Sequence, residues 1–285
     1  MGKSGRREGR QKRKTQNGIA PANRFTALMD GVPVEAASAV LPIFRSVNGG
    51  RSWQIIGTGF FVGHGLILTA RHVVEVAVKD DPTLHTPLWC IQIRPETGEW
   101  HWRPIEDARP HKQSDIALCR LKPTASPRGE PLGNPIVRLS EHDPANGTPV
   151  GTFAYPDSQI VRRGARTHID LRPNFYDGQI EEHFPERRDN SVITWPCFQT
   201  SIHIHGGASG GPVFDAVSGT VFGICTSSLD PFTDTSYVTK VRDALNMPVY
   251  GNQAGDHRGP LTLSLRDLHG HSRVLGVARL PLGAR

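Results

Sequence analysis

The segment Gly206-Gly207-Ala208-Ser209-Gly210-Gly211-Pro212, running straight into Val213-Phe214, restricts the folds open to this chain more than any other. Glycines on both sides of Ser209 let the backbone turn tightly, so that successive N–H groups converge beside the hydroxyl. The Gly-x-Ser-x-Gly spacing also marks the elbow of α/β-hydrolases, but that elbow needs a helix directly after the serine and acid and histidine partners further on. Pro212 and the strand-like Val213–Asp215 and Thr220–Thr226 leave no place for the helix. The late pair Asp256-His257 sits in a glycine-rich stretch with no α/β pattern around it.

What surrounds this segment reads as all-β. Short apolar and β-branched runs recur between turn clusters, at Val40–Arg45, Trp53–Gly57, Gly59–Val62, Leu66–Thr69, Leu88–Arg94, Asp115–Leu121, Pro149–Phe153, Val192–Gln199, Val213–Asp215, Thr220–Thr226 and Ser236–Thr239. Asn48-Gly49-Gly50 and Gly63-His64-Gly65 read as hairpin turns. Val73–Ala77 and Lys240–Leu245 read as short helices. Many closely spaced strands with few helices point to a sandwich or barrel. The polar residues 156–190 read as an inserted loop, and Leu261–Leu265 as one late strand.

The formal net charge of +6 is concentrated at one end: residues 1–14 hold seven lysines and arginines against Glu8. The rest of the chain is near neutral. Residues 1–30 read as a basic, disordered tail, with ordered structure from about Val34; such an arm is also a place for nucleic acid or a regulatory, acidic partner. No hydrophobic segment follows the basic start, and no apolar run is long enough to cross a bilayer, so a cytoplasmic location without membrane attachment is expected. Cys90, Cys119, Cys197 and Cys225 are widely spaced. They allow two disulfides or four buried thiols, and the missing export signal points to thiols. His203-x-His205 and His269-x-His271 each put two imidazoles on one face if the segment is a strand. No third ligand suggests itself, and neither a metal nor another cofactor is expected.

Ser209 has two upstream partners of the required kinds. His72 follows Leu66–Ala70 where a strand gives way to a helix, and Asp115 opens the apolar run Ile116-Ala117-Leu118, where a carboxylate can be buried against a ring nitrogen. A serine hydroxyl attacks an amide only when an imidazole takes its proton, a carboxylate holds that imidazole, and N–H groups stabilise the oxyanion. Each residue alone has an ordinary structural reading; the ordered set His, Asp, Ser does not.

With those residues in view, the chain resembles the trypsin/chymotrypsin-like serine peptidases, especially their bacterial branch, which includes the high-temperature-requirement proteases. Gly57-Thr58-Gly59-Phe60 with Ile67–Val74 is similar to the first-barrel segment, and Phe198–Ser201 with Gly206–Pro212 to the serine segment. Thr220–Ile224 and Ser236–Val241 resemble the closing strands and the start of the last helix. The resemblance covers about residues 35–250. It implies two six-stranded antiparallel β-barrels with the active site in the cleft between them, a protease domain over residues 31–250 whose barrels meet near 125–148, and a C-terminal extension over 251–285.

It further implies peptide-bond hydrolysis in protein or peptide substrates through an acyl-enzyme on Ser209, with His72 as base, Asp115 behind it, and the N–H groups of Gly207 and Ser209 as the oxyanion hole. His203, Thr226 and Ser228 would line the substrate pocket. The chain departs from the secreted animal members at Val73, where they have a cysteine, and at Ala208, where zymogen-activated members have an aspartate. No PDZ-like module is recognisable after residue 250. The alternative reading is a peptidase fold used for recognition, with the basic arm engaging nucleic acid or an acidic partner.

Overall fold

The computed structural model describes residues 25–47, 51–80, 88–126, 129–163, 166–203, 206–227, 236–250 and 262–274. The tail up to residue 24, the Asn48–Gly50 turn, His205, Ser228 and the Asp256-His257 pair lie outside these residues.

Alternating inward and outward side chains close two antiparallel barrels of six strands each. In the first, Val40–Val47, Ser52–Gly63, Leu66–Thr69, Ala117–Leu121, Glu99–Pro110 and Leu88–Arg94 follow one another around the wall. In the second the order is Pro149–Ala154, Asn174–Phe184, Cys197–Thr200, Ser236–Lys240, Val221–Ser227 and Pro212–Asp215. Leu41, Ile43, Phe60 and Leu68 are fully buried in the first core, and Phe198, Ile202, Val213 and Val238 in the second. Full closure leaves neither barrel an open edge. The all-β, two-barrel expectation is met.

Three local expectations need correction, and one strand shows no clear pattern in the sequence. Ordered structure begins well before Val34: strand Thr26–Met29 pairs with Val32–Glu35 on one side and Ile136–Val137 on the other. Phe25 anchors it, stacked on Phe214 of the second barrel with ring centroids 4.2 Å apart and planes at 7°. Residues 156–190 are not a plain loop. They form the hairpin Gln159–Arg163/Arg166–Asp170 and then barrel strand Asn174–Phe184, whose charged outward residues mask an inward row of Tyr176, Gly178 and Ile180. Val192–Gln199 is strand only from Cys197, because the Asp189 carboxylate takes the N–H groups of Ser191 (2.7 Å), Val192 (2.5 Å) and Ile193 (3.3 Å) that a ladder would need. Strand Glu99–Pro110 was not evident because its inward positions carry His101 and Arg103 beside Ile105.

The chain after the second barrel returns to the first. Thr262–Ser264 pairs with Pro248–Tyr250, and the following helix Leu265–Val274 buries Leu265 completely.

All four cysteines are free and buried. Burial pushes the thiols of Cys90, Cys197 and Cys225 up to about 12, which leaves almost no thiolate at neutral pH.

The last strand of the second barrel ends on a buried cation. Lys240 is 1% exposed; its Nζ donates to Asp143 Oδ2 at 2.8 Å and to His183 Nε2, and lies 5.0 Å from the Phe198 ring centre. Arg242 also reaches Asp143, at 3.2 Å. An ammonium group only donates, so Nε2 of His183 must be unprotonated. Burial, then Lys240, hold the pKa of His183 below its ordinary value against the pull of Asp143.

Two outcomes are expected. Phe25→Ala lowers unfolding free energy by about 3 kcal/mol in denaturant titrations. Because the folded-state pKa of His183 is depressed, its contribution is present above the ordinary histidine value of about 6.5 and is lost as pH falls through the lower folded value. Thermal melts from pH 7.5 to 5 should therefore show a shallower decline for His183→Gln than for the wild type.

Candidate active site

Strand Leu66–Thr69 of the first barrel ends against helix Arg71–Asp80, and His72 sits in the first turn of that helix. Asp115 lies in the bend just before strand Ala117–Leu121, which pairs with Leu66–Thr69. Sheet pairing thus brings together residues far apart in sequence. Asp115 Oδ1 accepts the backbone N–H of His72 at 3.0 Å, and Oδ2 lies 2.9 Å from Nδ1. The carboxylate is 3% exposed and the imidazole 43%. An ionised carboxylate can only accept, so Nδ1 carries the proton and Nε2 is the free acceptor on the neutral ring.

The turn holding Ser209 comes from the second barrel and is stitched to the first. The Thr58 N–H donates to the Ser209 carbonyl at 2.8 Å, and Thr58 Oγ1 donates to the Gly207 carbonyl, also at 2.8 Å. Gly210, at φ +88°, is wedged so tightly that an added Cβ would come within 2.2 Å of both Thr58 O and Thr69 Oγ1 and 2.9 Å of Ala70 N. A Cβ on Gly57 would meet both Val73 (2.7 Å) and the Ser209 carbonyl (2.8 Å). Thr69 and Ala70 lead directly to His72 in the chain, so the serine turn abuts the segment just before the histidine.

The Ser209 hydroxyl itself donates to the Thr226 carbonyl at 3.1 Å. Thr226 Oγ1 and Thr239 Oγ1 are 2.5 Å apart, and the Trp195 indole N–H donates to Thr239 at 2.8 Å. Arg71 reaches across from the first barrel, its guanidinium 5.7 Å from the Trp195 ring centre and its Nη1 donating to the His111 carbonyl at 3.3 Å. Ser114, next to Asp115, is buried and donates to Asp243 at the start of the last 3-10 helix. Gly207 adopts φ +91°, and among the described residues neither its N–H nor that of Ser209 has a hydrogen-bond partner.

The pocket residues are less unified. Thr226 presents its carbonyl to Ser209, while its side chain is buried against Thr239. His203 is half-buried in the segment after Cys197–Thr200. Ser228 lies outside the described residues. Sequence reasoning missed Thr58, Trp195, Thr239 and Asp243; only Thr58, held between Gly57 and Gly59, carried a local signal. Among the described residues no three His, Cys, Asp or Glu side chains are grouped to hold a metal. His269 falls on a helix, where positions two apart face away from each other, and its Nε2 lies 2.9 Å from the Val62 carbonyl. No described helix is long and apolar enough to cross a membrane.

Comparison with known proteins fits this geometry. Residues 57–224, which include His72, Asp115 and Ser209, match the trypsin-like peptidase domain.

The chain belongs to the trypsin-like peptidase family.

The chain is similar to the mouse peroxisomal leader peptide-processing protease, at 26% identity over 212 residues. That match takes in 72% of the peptidase but only 30% of the relative's length. Among solved structures it is similar to Deg5 (17% identity, TM-score 0.53, 72% of this chain and 85% of the other). It is also similar to the active form of the Rv3671c protease of M. tuberculosis (15% identity, TM-score 0.51, 73% and 78%). At such identities these structures share the fold.

The glycine wedge gives a sharp test. Gly210→Ala combines a left-handed backbone with a clash against main-chain atoms, whereas a Cβ on Gly206 meets nothing within 4 Å. Gly210→Ala should lose peptidase activity and several degrees of melting temperature, and Gly206→Ala should keep its melting temperature within about a degree of the wild type.

Proposed function

We propose that this peptidase is a serine endopeptidase that cleaves peptide bonds through an acyl-enzyme on Ser209. The observation that carries the reading is the buried Asp115 holding the His72 Nδ1 proton, with the Ser209 turn hydrogen-bonded to Thr58 and its Gly210 packed against Thr69 and Ala70, just before that histidine. His72 Nε2 takes the Ser209 proton as the hydroxyl attacks and returns it to the leaving amine. Asp115 keeps the ring in the tautomer that allows this and stabilises the imidazolium. Before attack the hydroxyl leaves the Thr226 carbonyl by rotation about Cα–Cβ; unproductive contacts of this kind are common in enzymes without substrate. The N–H groups of Gly207 and Ser209 receive the oxyanion, a contribution of about a hundredfold or more in rate.

Thr226, Thr239 and Trp195 serve as a back wall. They hold the carbonyl on which Ser209 rests, and so fix the position from which the hydroxyl turns. The side-chain pocket is assigned to His203 with the strand end at Thr226 and Ser228. No carboxylate stands at His203, so a preference for Lys or Arg is not expected.

A fluorophosphonate probe reacts with an activated serine and tests the chemistry directly. Wild-type protein should be labelled on Ser209, with labelling absent in Ser209→Ala and reduced at least about a thousandfold in His72→Ala at unchanged melting temperature. Labelling that survives in Ser209→Ala would remove this assignment. Cleavage-site mapping on a peptide library should show no enrichment of Lys or Arg before the cut.

A further inference from the structure

Strand Glu99–Pro110 carries a second charged group that the hydrolytic reading does not use. Its Pro110 end pairs with Ala117, two residues beyond Asp115. Arg103 lies seven residues back along the strand, roughly 20 Å away at strand spacing. There it faces into the first barrel and is only 2% exposed.

The surroundings of this guanidinium are neutral. Nη1 makes both of its hydrogen bonds, to Gln92 Oε1 at 2.9 Å and to Asn134 Oδ1 at 2.6 Å. Both amides are held in orientation from behind: Gln92 Nε2 donates to the Gly133 carbonyl at 2.7 Å and Asn134 Nδ2 to the Leu132 carbonyl at 3.4 Å. The Phe61 ring centre lies 5.5 Å from the guanidinium carbon. Among the described residues no Asp or Glu forms an ion pair with Arg103, and its Nε is buried without a hydrogen-bond partner. Burial draws its pKa below the usual guanidinium value; a guanidinium nonetheless keeps its charge in proteins.

Two features of this arrangement point to a ligand. A buried cation with no counter-charge costs several kcal/mol, and chains that retain one ordinarily supply an anion. The edge left over, Nε with Nη2, is also the one that donates two parallel bonds to an oxyanion, while Nη1 is tied back by the two amides. His101, two residues away on the same inward face, has a buried Nε2 that likewise lacks a hydrogen-bond partner. The Glu99 carboxylate lies 3.5 Å from that nitrogen, so Arg103 and not His101 is the centre of attraction.

We propose that Arg103 is the core of an oxyanion-binding site inside the first barrel, remote from Ser209, which takes a phosphate or carboxylate group on its Nε–Nη2 edge. The site is independent of the peptidase assignment, and its test does not read activity.

Inorganic phosphate, acetate and sodium chloride at matched ionic strength are the probes, with melting temperature as one readout and the arginine Nε–H resonances of 15N-labelled protein as the other. Phosphate or acetate should raise the wild-type melting temperature saturably, by roughly 3–6 °C at ten times Kd, and shift one protected Nε–H resonance along the same saturation curve. A response to phosphate alone identifies a tetrahedral, doubly charged ligand; a response to acetate alone identifies a carboxylate group. Arg103→Lys, which keeps the charge but has no fork, should lose the saturable response. An identical rise with sodium chloride, a response retained in Arg103→Lys, or an Nε–H resonance that stays still in wild-type protein would each overturn the site. The wild-type spectra decide the matter even if the variant does not fold.

Discussion

The short hydrogen-bonded seam between Thr58 and the Ser209 turn is the constraint on which the site rests. The Ser209 carbonyl takes the Thr58 N–H, and the Gly207 carbonyl takes the Thr58 hydroxyl. Each barrel is closed on its own hydrogen bonds, and the two also meet where Tyr155 reaches Thr58 and the Val40 carbonyl. The seam sets their register beside Ser209 with one main-chain bond and one from the Thr58 hydroxyl. The absence of side chains at Gly57 and Gly210 is what allows the approach: a single Cβ at either position would fall inside contact distance of the opposite barrel. Close backbone approach, rather than turn flexibility in general, explains why glycine occupies these two places.

Behind the seam, each barrel contributes its own support. In the first, Asp115 is buried and makes two contacts with one residue, gripping both the main chain and the ring of His72. In the second, Thr226 carries the Ser209 hydroxyl on its carbonyl and leans through Thr239 on the Trp195 indole. The supports meet at two points. Arg71 lies against Trp195, and Ser114 bonds Asp243 on the helix that leaves the second barrel. Proteolytic chemistry of this class depends on sub-ångström placement, and here the placement is shared between elements that are individually rigid.

The two-barrel architecture was legible in the sequence, and the residues proposed for the site, His72, Asp115 and Ser209, each leave a local mark there: glycines around a serine, a strand that ends at a histidine, an aspartate that opens an apolar run. Closed antiparallel walls also write a short-period pattern that survives at most positions. What escaped did so for physical reasons. Strand Asn174–Phe184 turns charged residues to solvent, and one of its inward positions is a glycine, which blurs the alternation. Strand Glu99–Pro110 buries an arginine where a hydrophobe is expected. The break before Cys197 comes from a carboxylate, Asp189, that competes for backbone N–H groups, a choice no hydropathy pattern records. Trp195 and Asp243 act only across the fold, through partners that are distant in sequence, so neither carries a signal of its own.

The strand at Thr26–Met29 joins two parts of the molecule at once. It pairs with Ile136–Val137 in the connection between barrels, and its leading Phe25 lies flat on Phe214, four residues past Gly210. Force applied to the chain upstream of Phe25 is therefore delivered to the wall that bears the serine turn and to the inter-barrel connection together. A pull on the chain at Phe25 thus has a mechanical route into the half of the molecule that carries Ser209.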